Sequence, residues 1–303
     1  MADEVFHHGE RTVQARVAVR DMADRVGRSI RPALPPVGQA FLEDRTWLVL
    51  GALDADRRPW ATILAGPRGF ARAVDERTVR LASEPRPGDP LDAAIQPGAP
   101  VGLIAIDLAT RRRLRVNGHV TARTPGAILI AADQAYSNCP KYIQRRDVSG
   151  PAPPALQAPP TPPLRATALT EEQRDRLRRA DTFFIATAAP DAGVDASHRG
   201  GMPGFIHVDG QRLTWPDYSG NSLFNTLGNI EAWPHAGLAI PDFETGAMLL
   251  LTGRAAIDWD PAHAAAMPGA ERLVTLDVEV VFDVHGALPE RLQLREYSPL
   301  NPR

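Results

Sequence analysis

The hydrophobic pattern opens with a helical stripe. Between residues 10 and 30, Val13, Val17, Met22, Val26 and Ile30 recur every four or five positions, with Arg11, Arg16, Asp21 and Arg25 elsewhere. This predicts an amphipathic helix, ended by Arg31-Pro32 and Pro35-Pro36. Short β-like segments follow at Trp47–Leu50, Trp60–Ala65, Phe70–Val74, Val79–Ala82, Val101–Ile106 and Leu114–Val120, punctuated by turn residues such as Asp54-Ala55-Asp56. Strands this short and closely spaced predict an antiparallel sandwich or barrel rather than βαβ units. Residues 126 to 146 predict a helix, with Ile128, Ile130 and Ala132 leading it and Cys139-Pro140 breaking it.

Pro151 to Pro163 holds seven prolines in thirteen residues. That composition predicts a semi-rigid polyproline II linker, at ~3.1 Å per residue. Beyond it, residues 169 to 179 predict a charged helix, with Thr170 as cap and Glu171-Glu172 in the first turn. The β-like pattern then resumes at Phe183–Ala186, Phe205–Val208, Arg212–Trp215, Gly237–Ile240, Met248–Arg254 and Leu276–Val284.

The second half repeats the first. Gly69-Phe70 aligns with Gly204-Phe205 at an offset of 135, as do Gly102-Leu103 with Gly237-Leu238, Asp107 with Asp242 and Gly118 with Gly253. Glycines recurring on matching strands mark tight turns or close backbone approach. A duplicated β-domain can bury a shared face between its copies as a homodimer does. The expected organisation is residues 1–150 as N-terminal helix plus first β-domain, 151–168 as linker and 169–303 as second β-domain.

Composition narrows the function classes. In 303 residues the net charge is −2, so no basic field invites nucleic acid or a membrane surface. The start of the chain lacks the basic and apolar regions of a secretory signal, and no apolar run is long enough to span a bilayer, so the cytoplasm is expected. Cys139 is the single cysteine, which excludes an internal disulfide and a multi-cysteine metal cluster. The histidines, His7-His8 near Glu10 and His198 with His207, complete no metal-ligand set, and no metal is expected. Lysine occurs once, at Lys141, among 34 basic residues. No glycine-rich dinucleotide fingerprint precedes a helix.

Several segments resemble a known family. Phe6-His7-His8-Gly9-Glu10 with Gln14, Thr110-Arg111-Arg112-Arg113 with Asn117-Gly118, Asn138 through Arg145, and Ser197-His198-Arg199-Gly200-Gly201 through Trp215 to Asn221 are similar to proteins called pyridoxamine 5'-phosphate oxidase-related and FMN-binding. The resemblance covers nearly the whole chain outside the linker. It implies a mainly β (α+β) fold: two tandem FMN-binding split β-barrels forming an intrachain pseudo-dimer, with flanking helices. In the oxidases FMN sits at a two-fold interface, and the resemblance implies a divided site here. Ser197, Arg199, Gly200, Tyr218, Ser219 and Asn221 would form the phosphate cradle, and Arg113, Arg115, Lys141, Tyr142 and Gln144 would come from the partner-like first half. Arg111, Arg113 and Arg115 would share one strand face, and Arg68 lies on the side that has lost its site.

Two departures shape the functional reading. Asn221 stands where the oxidases carry a lysine, and the ending Arg295-Glu296-Tyr297-Ser298-Pro299 is not theirs, so oxidation of pyridoxamine 5'-phosphate itself is not expected. The leading expectation is an FMN-dependent oxidoreductase acting on an unidentified small molecule, with NAD(P)H open as reductant. A non-catalytic protein binding flavin, deazaflavin or haem on the same fold is the alternative, and a homodimer is left open.

Overall fold

The computed structural model of the protein describes residues 5–137, 139–151 and 163–302. Asn138 and residues 152–162, most of the expected linker, lie outside them. The first half carries α1 (His8–Arg16), α2 (Arg20–Gly27) and α3 (Pro36–Glu43). Its strands are β1 (Trp47–Leu53), β2 (Pro59–Ala65), β3 (Ala71–Ala73), β4 (Thr78–Leu81), β5 (Pro100–Asp107), β6 (Arg112–Thr124), β7 (Ala127–Ser137) and β8 (Arg145–Pro151). The second half begins with β9 (Leu164–Ala166), α4 (Glu171–Arg179), β10 (Thr182–Ala189), β11 (Gly193–Gly200), β12 (His207–Asp209) and β13 (Arg212–Asp217). It continues through α5 (Asn225–Ala232), β14 (His235–Pro241), β15 (Met248–Asp258), α6 (Pro261–Ala264), β16 (Arg272–Val284) and β17 (Glu290–Glu296). The chain is mainly β, and among the described residues no helix is long and apolar enough to cross a membrane.

Two antiparallel sheets follow the same path. The first runs β2-β1-β5-β6-β7-β4-β3 and the second β11-β10-β14-β15-β16-β13-β12, with β9 added beside β16. Registers repeat at the offset read from the sequence: Gly51 faces Gly102 as Ala186 faces Gly237, and Leu103 faces Val116 as Leu238 faces Leu251. Even the bulge recurs, between Asn117 and Gly118 and between Thr252 and Gly253. Past it the offset grows, because α6 lengthens the connection between β15 and β16.

Several elements differ from the sequence expectation. The helix expected over residues 10–30 is two helices, parted where Ala18 takes φ +56°. The helix expected over 126–146 is instead strand β7 followed by β8. Its leading residues Ile128, Ile130 and Ala132 are buried on alternate positions, a period of two that marks a strand. Strand β11 and helix α5 have no counterpart in the hydrophobic reading: every residue of β11 except Gly193 and Arg199 is buried, and α5 buries Asn225, Thr226 and Asn229 along with its apolar residues. Helix α4 carries the expected Thr170 cap, which accepts from the Gln173 N–H at 3.2 Å. The expected linker is bounded by short strands, for β8 pairs with C-terminal β17, and β9 with β16.

The two sheets meet through β1, β2 and β5 on one side and β10, β11 and β14 on the other. Two repeat-related glycines set the spacing. A Cβ on Gly102 would lie 2.7 Å from the Ala196 nitrogen, and one on Gly237 would lie 2.2 Å from the Pro59 carbonyl oxygen. Backbone cannot yield as a flexible side chain can, so Gly102→Ala is expected to destabilise the protein by about 1–3 kcal/mol. Gly150→Ala, where a Cβ meets open space, should stay within about 0.5 kcal/mol of the parent in the same calorimetric series.

Candidate functional site

A cavity of about 450 Å³ opens where the two halves meet, between β6, β11, the β13–α5 connection and the start of β16. Strand alternation puts Arg113 and Arg115 of β6 on one face, and both line the cavity. Arg111 does not join them. It precedes the strand with φ +56° and turns away, donating from Nε to the Ile143 carbonyl at 2.9 Å and from Nη2 to Glu296 Oε2 at 3.1 Å. Arg113 donates from Nη2 to the Cys139 carbonyl at 2.9 Å. Arg115 is buried, ion-paired with Asp195, and donates from Nη1 to Asn225 Oδ1 at 3.4 Å.

On the far wall β11 is the terminal strand of its sheet, so Ser197, Arg199 and Gly200 all reach the cavity along its open edge. Arg199 Nη1 donates to Asp217 Oδ1 at 2.7 Å, and Arg272 Nη1 to Asp217 Oδ2 at 2.7 Å. Ser197 Oγ donates to Asp195 Oδ2 and accepts from Thr226 Oγ1, each at 3.2 Å. Tyr218, Ser219 and Asn221 occupy the connection to α5, where Asn221 Oδ1 accepts from the Leu223 N–H at 3.1 Å.

The first half closes the mouth. Lys141 Nζ and Tyr142 Oη both reach the Ser219 carbonyl, at 3.4 and 3.0 Å, and the Tyr142 ring stands 4.9 Å from that of Tyr218. Tyr142 holds φ +62°, a conformation that costs a non-glycine residue on the order of 1–3 kcal/mol. Gln144, expected at the ligand, does not line the cavity. It is fully buried behind it, where Nε2 donates to the Gly201 carbonyl at 3.1 Å and Oε1 accepts from Ser298 N at 2.8 Å and Asn301 Nδ2 at 3.0 Å. It anchors the 141–143 turn against Gly200, where a Cβ would lie 2.1 Å from the Tyr142 carbonyl oxygen.

Charge in the cavity is unevenly compensated. Asp195 serves Arg115, Asp217 is shared by Arg199 and Arg272, and Glu271 serves Arg272. Among the described residues Arg113 and Lys141 pair with no carboxylate. Burial, with the Arg115 and Arg199 charges beside it, pulls Arg113 down to about 9, and its Nε is buried without a partner, as is that of Arg199. Burial also pushes Tyr218 up to about 12, so its hydroxyl stays protonated. No group of three His, Cys, Asp or Glu side chains converges as metal ligands would among the described residues.

Helix α1, placed by sequence with residues 1–150, packs on the second half. Gly9 and Gly228 let α1 and α5 touch backbone to backbone: a Cβ on Gly9 would lie 2.1 Å from the Gly228 carbonyl oxygen. That contact brings Glu10 to the cavity's rear wall, where Oε1 accepts from Asn225 Nδ2 at 2.5 Å. Gln14 adds a bond from Nε2 to the Leu223 carbonyl at 3.0 Å.

Residues 169–290 match the family model described as pyridoxamine 5'-phosphate oxidase. Over those residues the chain is similar to the pyridoxamine 5'-phosphate oxidase family. No curated protein sequence matches the chain. Among solved structures, HupZ of Group A Streptococcus is 17% identical, covering 40% of this chain and 98% of its own, with a TM-score of 0.33. A FAD-binding protein of Mesorhizobium loti is 14% identical, covering 40% of this chain and 98% of its own, with a TM-score of 0.28.

The half that carries this match supplies one wall of the cavity and the first half the other, and the shared register locates the equivalent position in the opposite half. At the offset of 135, Leu64 stands for Arg199, Met248 for Arg113 and Leu250 for Arg115, as the paired registers require. All three are buried in one hydrophobic cluster. Arg68 is therefore not the counterpart of Arg199; it is exposed and ion-paired with Asp44. Sequence reading passed over Arg272, Asp217, Asp195, Asn225, Thr226 and Glu10. Glu10 and Asp217 stood inside the segments similar to the oxidase relatives, whereas Arg272 had no such signal.

Burial raises Glu10 from 4.5 to about 7, against the opposing pull of its hydrogen bonds and of Arg115. The folded value lies above the unfolded one, so folding takes up a proton between them. The stability this gives is full below about 4.5 and is lost as pH rises through about 7, amounting to about 3 kcal/mol. Thermal unfolding measured from about pH 5 to pH 8 should therefore decline less steeply for Glu10→Gln than for the parent.

Proposed function

We propose that the protein is a cytoplasmic FMN-dependent oxidoreductase that binds one flavin in the cavity between its halves and acts on a small molecule. The observation that carries this reading is the cluster of guanidinium groups, Arg113, Arg115, Arg199 and Arg272, lining one cavity with fewer acids than they need. Guanidinium groups present paired donors that match phosphate oxygens. A volume of about 450 Å³ lies in the range of small-molecule sites, roughly 300–1,000 Å³. Arg113, which pairs with no carboxylate among the described residues, leaves the cavity a cation that suits a nucleotide phosphate.

The two sheets with one path and one register support a tandem duplication of a split barrel, folded as an intrachain pseudo-dimer of residues 1–150 and 169–303 joined by 151–168. In that account Arg113 and Arg199 hold the phosphate from opposite halves, while Ser197, Gly200, Ser219 and Asn221 line its surroundings. Lys141 and Tyr142 close the mouth and exclude water, and Arg115 supplies fixed positive charge from the rear wall. A bound flavin supplies hydride and electron transfer. Tyr142 and Tyr218, both held protonated by burial, remain hydrogen-bond donors at the entrance. NAD(P)H, docking at that entrance, is the proposed reductant. Asn221 and the divergent C-terminus support a substrate other than pyridoxamine 5'-phosphate.

The test is flavin titration followed by fluorescence quenching. Arg113→Ala and Arg199→Ala should each weaken FMN by about ten- to a hundredfold, since a charge-assisted bond contributes roughly 1.5–3 kcal/mol. Arg68→Ala should match the parent. Equal losses from Arg68→Ala and Arg199→Ala, or no FMN binding by the parent, would contradict the assignment.

A further inference from the structure

The arginines account for a phosphate and not for a flat fused ring, which gains by leaving water and needs apolar surface to lie on. Of the valine, leucine, proline and phenylalanine residues lining the cavity, Val17, Val19 and Phe224 keep exposed surface, whereas Phe205, Pro216 and Leu227 are buried. One side chain brings the three together. Gln14 is fully buried; its carbonyl accepts from the Val19 N–H at 2.9 Å, and its Nε2 donates to the Leu223 carbonyl at 3.0 Å. The turn between α1 and α2 is thereby fixed beside the residue that enters α5. The Phe224 ring is held in turn by Arg272, whose guanidinium stands 5.3 Å from the ring centroid and donates to Asp217 and Glu271.

Backbone strain marks the same place. Among the described residues six non-glycine residues take positive φ, and four of them border this cavity: Ala18 at +56°, Tyr142 at +62°, Ser222 at +64° and Phe224 at +62°. Such conformations are unfavourable and collect at ligand sites. Ala18 turns the chain so that the residues on both sides of it, Val17 and Val19, line the cavity. Phenylalanine is a costly choice at position 224, where glycine would adopt the same φ freely. A turn alone needs no ring there, and an apolar wall does.

We infer that Val17, Val19 and Phe224 form the ring-binding wall of the cavity, taking the planar tricyclic end of a flavin while the arginines take its phosphate. The inference rests on the proposed flavin site. It adds to that site the N-terminal helices, whose connecting turn supplies two of the three wall residues.

The test substitutes Val17→Ser and Val19→Ser together in the full chain and titrates it with FMN and with riboflavin, which has the same ring and no phosphate. Affinity for both should fall about tenfold, with the ratio between them unchanged, because apolar contact with the ring is lost in each complex. Arg199→Ala should weaken FMN and leave riboflavin nearly unchanged. Both valines are partly exposed, so the ligand-free Tm should stay within ~3 °C of the parent. Should the double variant fail to fold, Val19→Thr keeps the shape of the side chain and is expected to weaken both flavins about threefold. Unchanged affinity for both flavins, or a loss confined to FMN, would overturn the wall and leave the flavin site standing. A parent chain that binds neither flavin would overturn both readings.

Discussion

Several guanidinium groups held around one partly buried cleft repel one another and lose hydration, and much of the surrounding structure answers that cost. Burial first, and then the neighbouring guanidinium charges, lowers the proton affinity of Arg113 and Arg115. Removing a charge from water costs several kcal/mol unless opposite charge and hydrogen bonds meet it. Asp195 and Asp217 are the first answers, each buried and each holding an arginine. Behind them Asn117 donates to Asp195, and Thr226 reaches it through Ser197. Glu10 is a further answer, brought to the rear wall by the glycine contact between α1 and α5. Compensation stops short at Arg113 and Lys141, on the side facing the open cavity.

The same constraint explains the asymmetry between the halves. In a symmetric dimer of single domains, each cleft would have to carry these charges. The proposed tandem duplication would release that requirement, and the positions offset by 135 hold Leu64, Met248 and Leu250 inside continuous core. Phe243, Phe282 and Leu292 from the second half pack into that same cluster. One cleft is kept polar at the expense of packing, and the other is given over to packing. The interface glycines Gly102 and Gly237 persist in both because backbone contact there is needed whichever cleft is filled.

Much of the fold was legible in the chain because the repeat is written in residues with narrow tolerance. Glycines at contact and bulge positions kept their spacing of 135, and that spacing also governs strand register. The reading failed where hydrophobic period was a poor guide. Strand β7 alternates buried and exposed residues but was overshadowed by the Cys139-Pro140 break. Helix α5 is buried on polar residues, so no apolar stripe announced it. At the site, Arg113, Arg115, Arg199, Tyr218 and Lys141, named from the sequence, line one cavity. Gln144 proved to be an anchor for the turn beside the cavity. The acids that hold the arginines come from other strands and from α1, and sequence order gives no hint that they converge.

The account turns on one surviving cleft per chain. Native mass spectrometry of the protein at saturating FMN measures this most directly, because each bound flavin adds its mass to an intact chain. The expected result is a single FMN per chain, retained by the parent and lost first from Arg113→Ala and Arg199→Ala. Two flavins per chain, or a single flavin unaffected by either substitution, would contradict it.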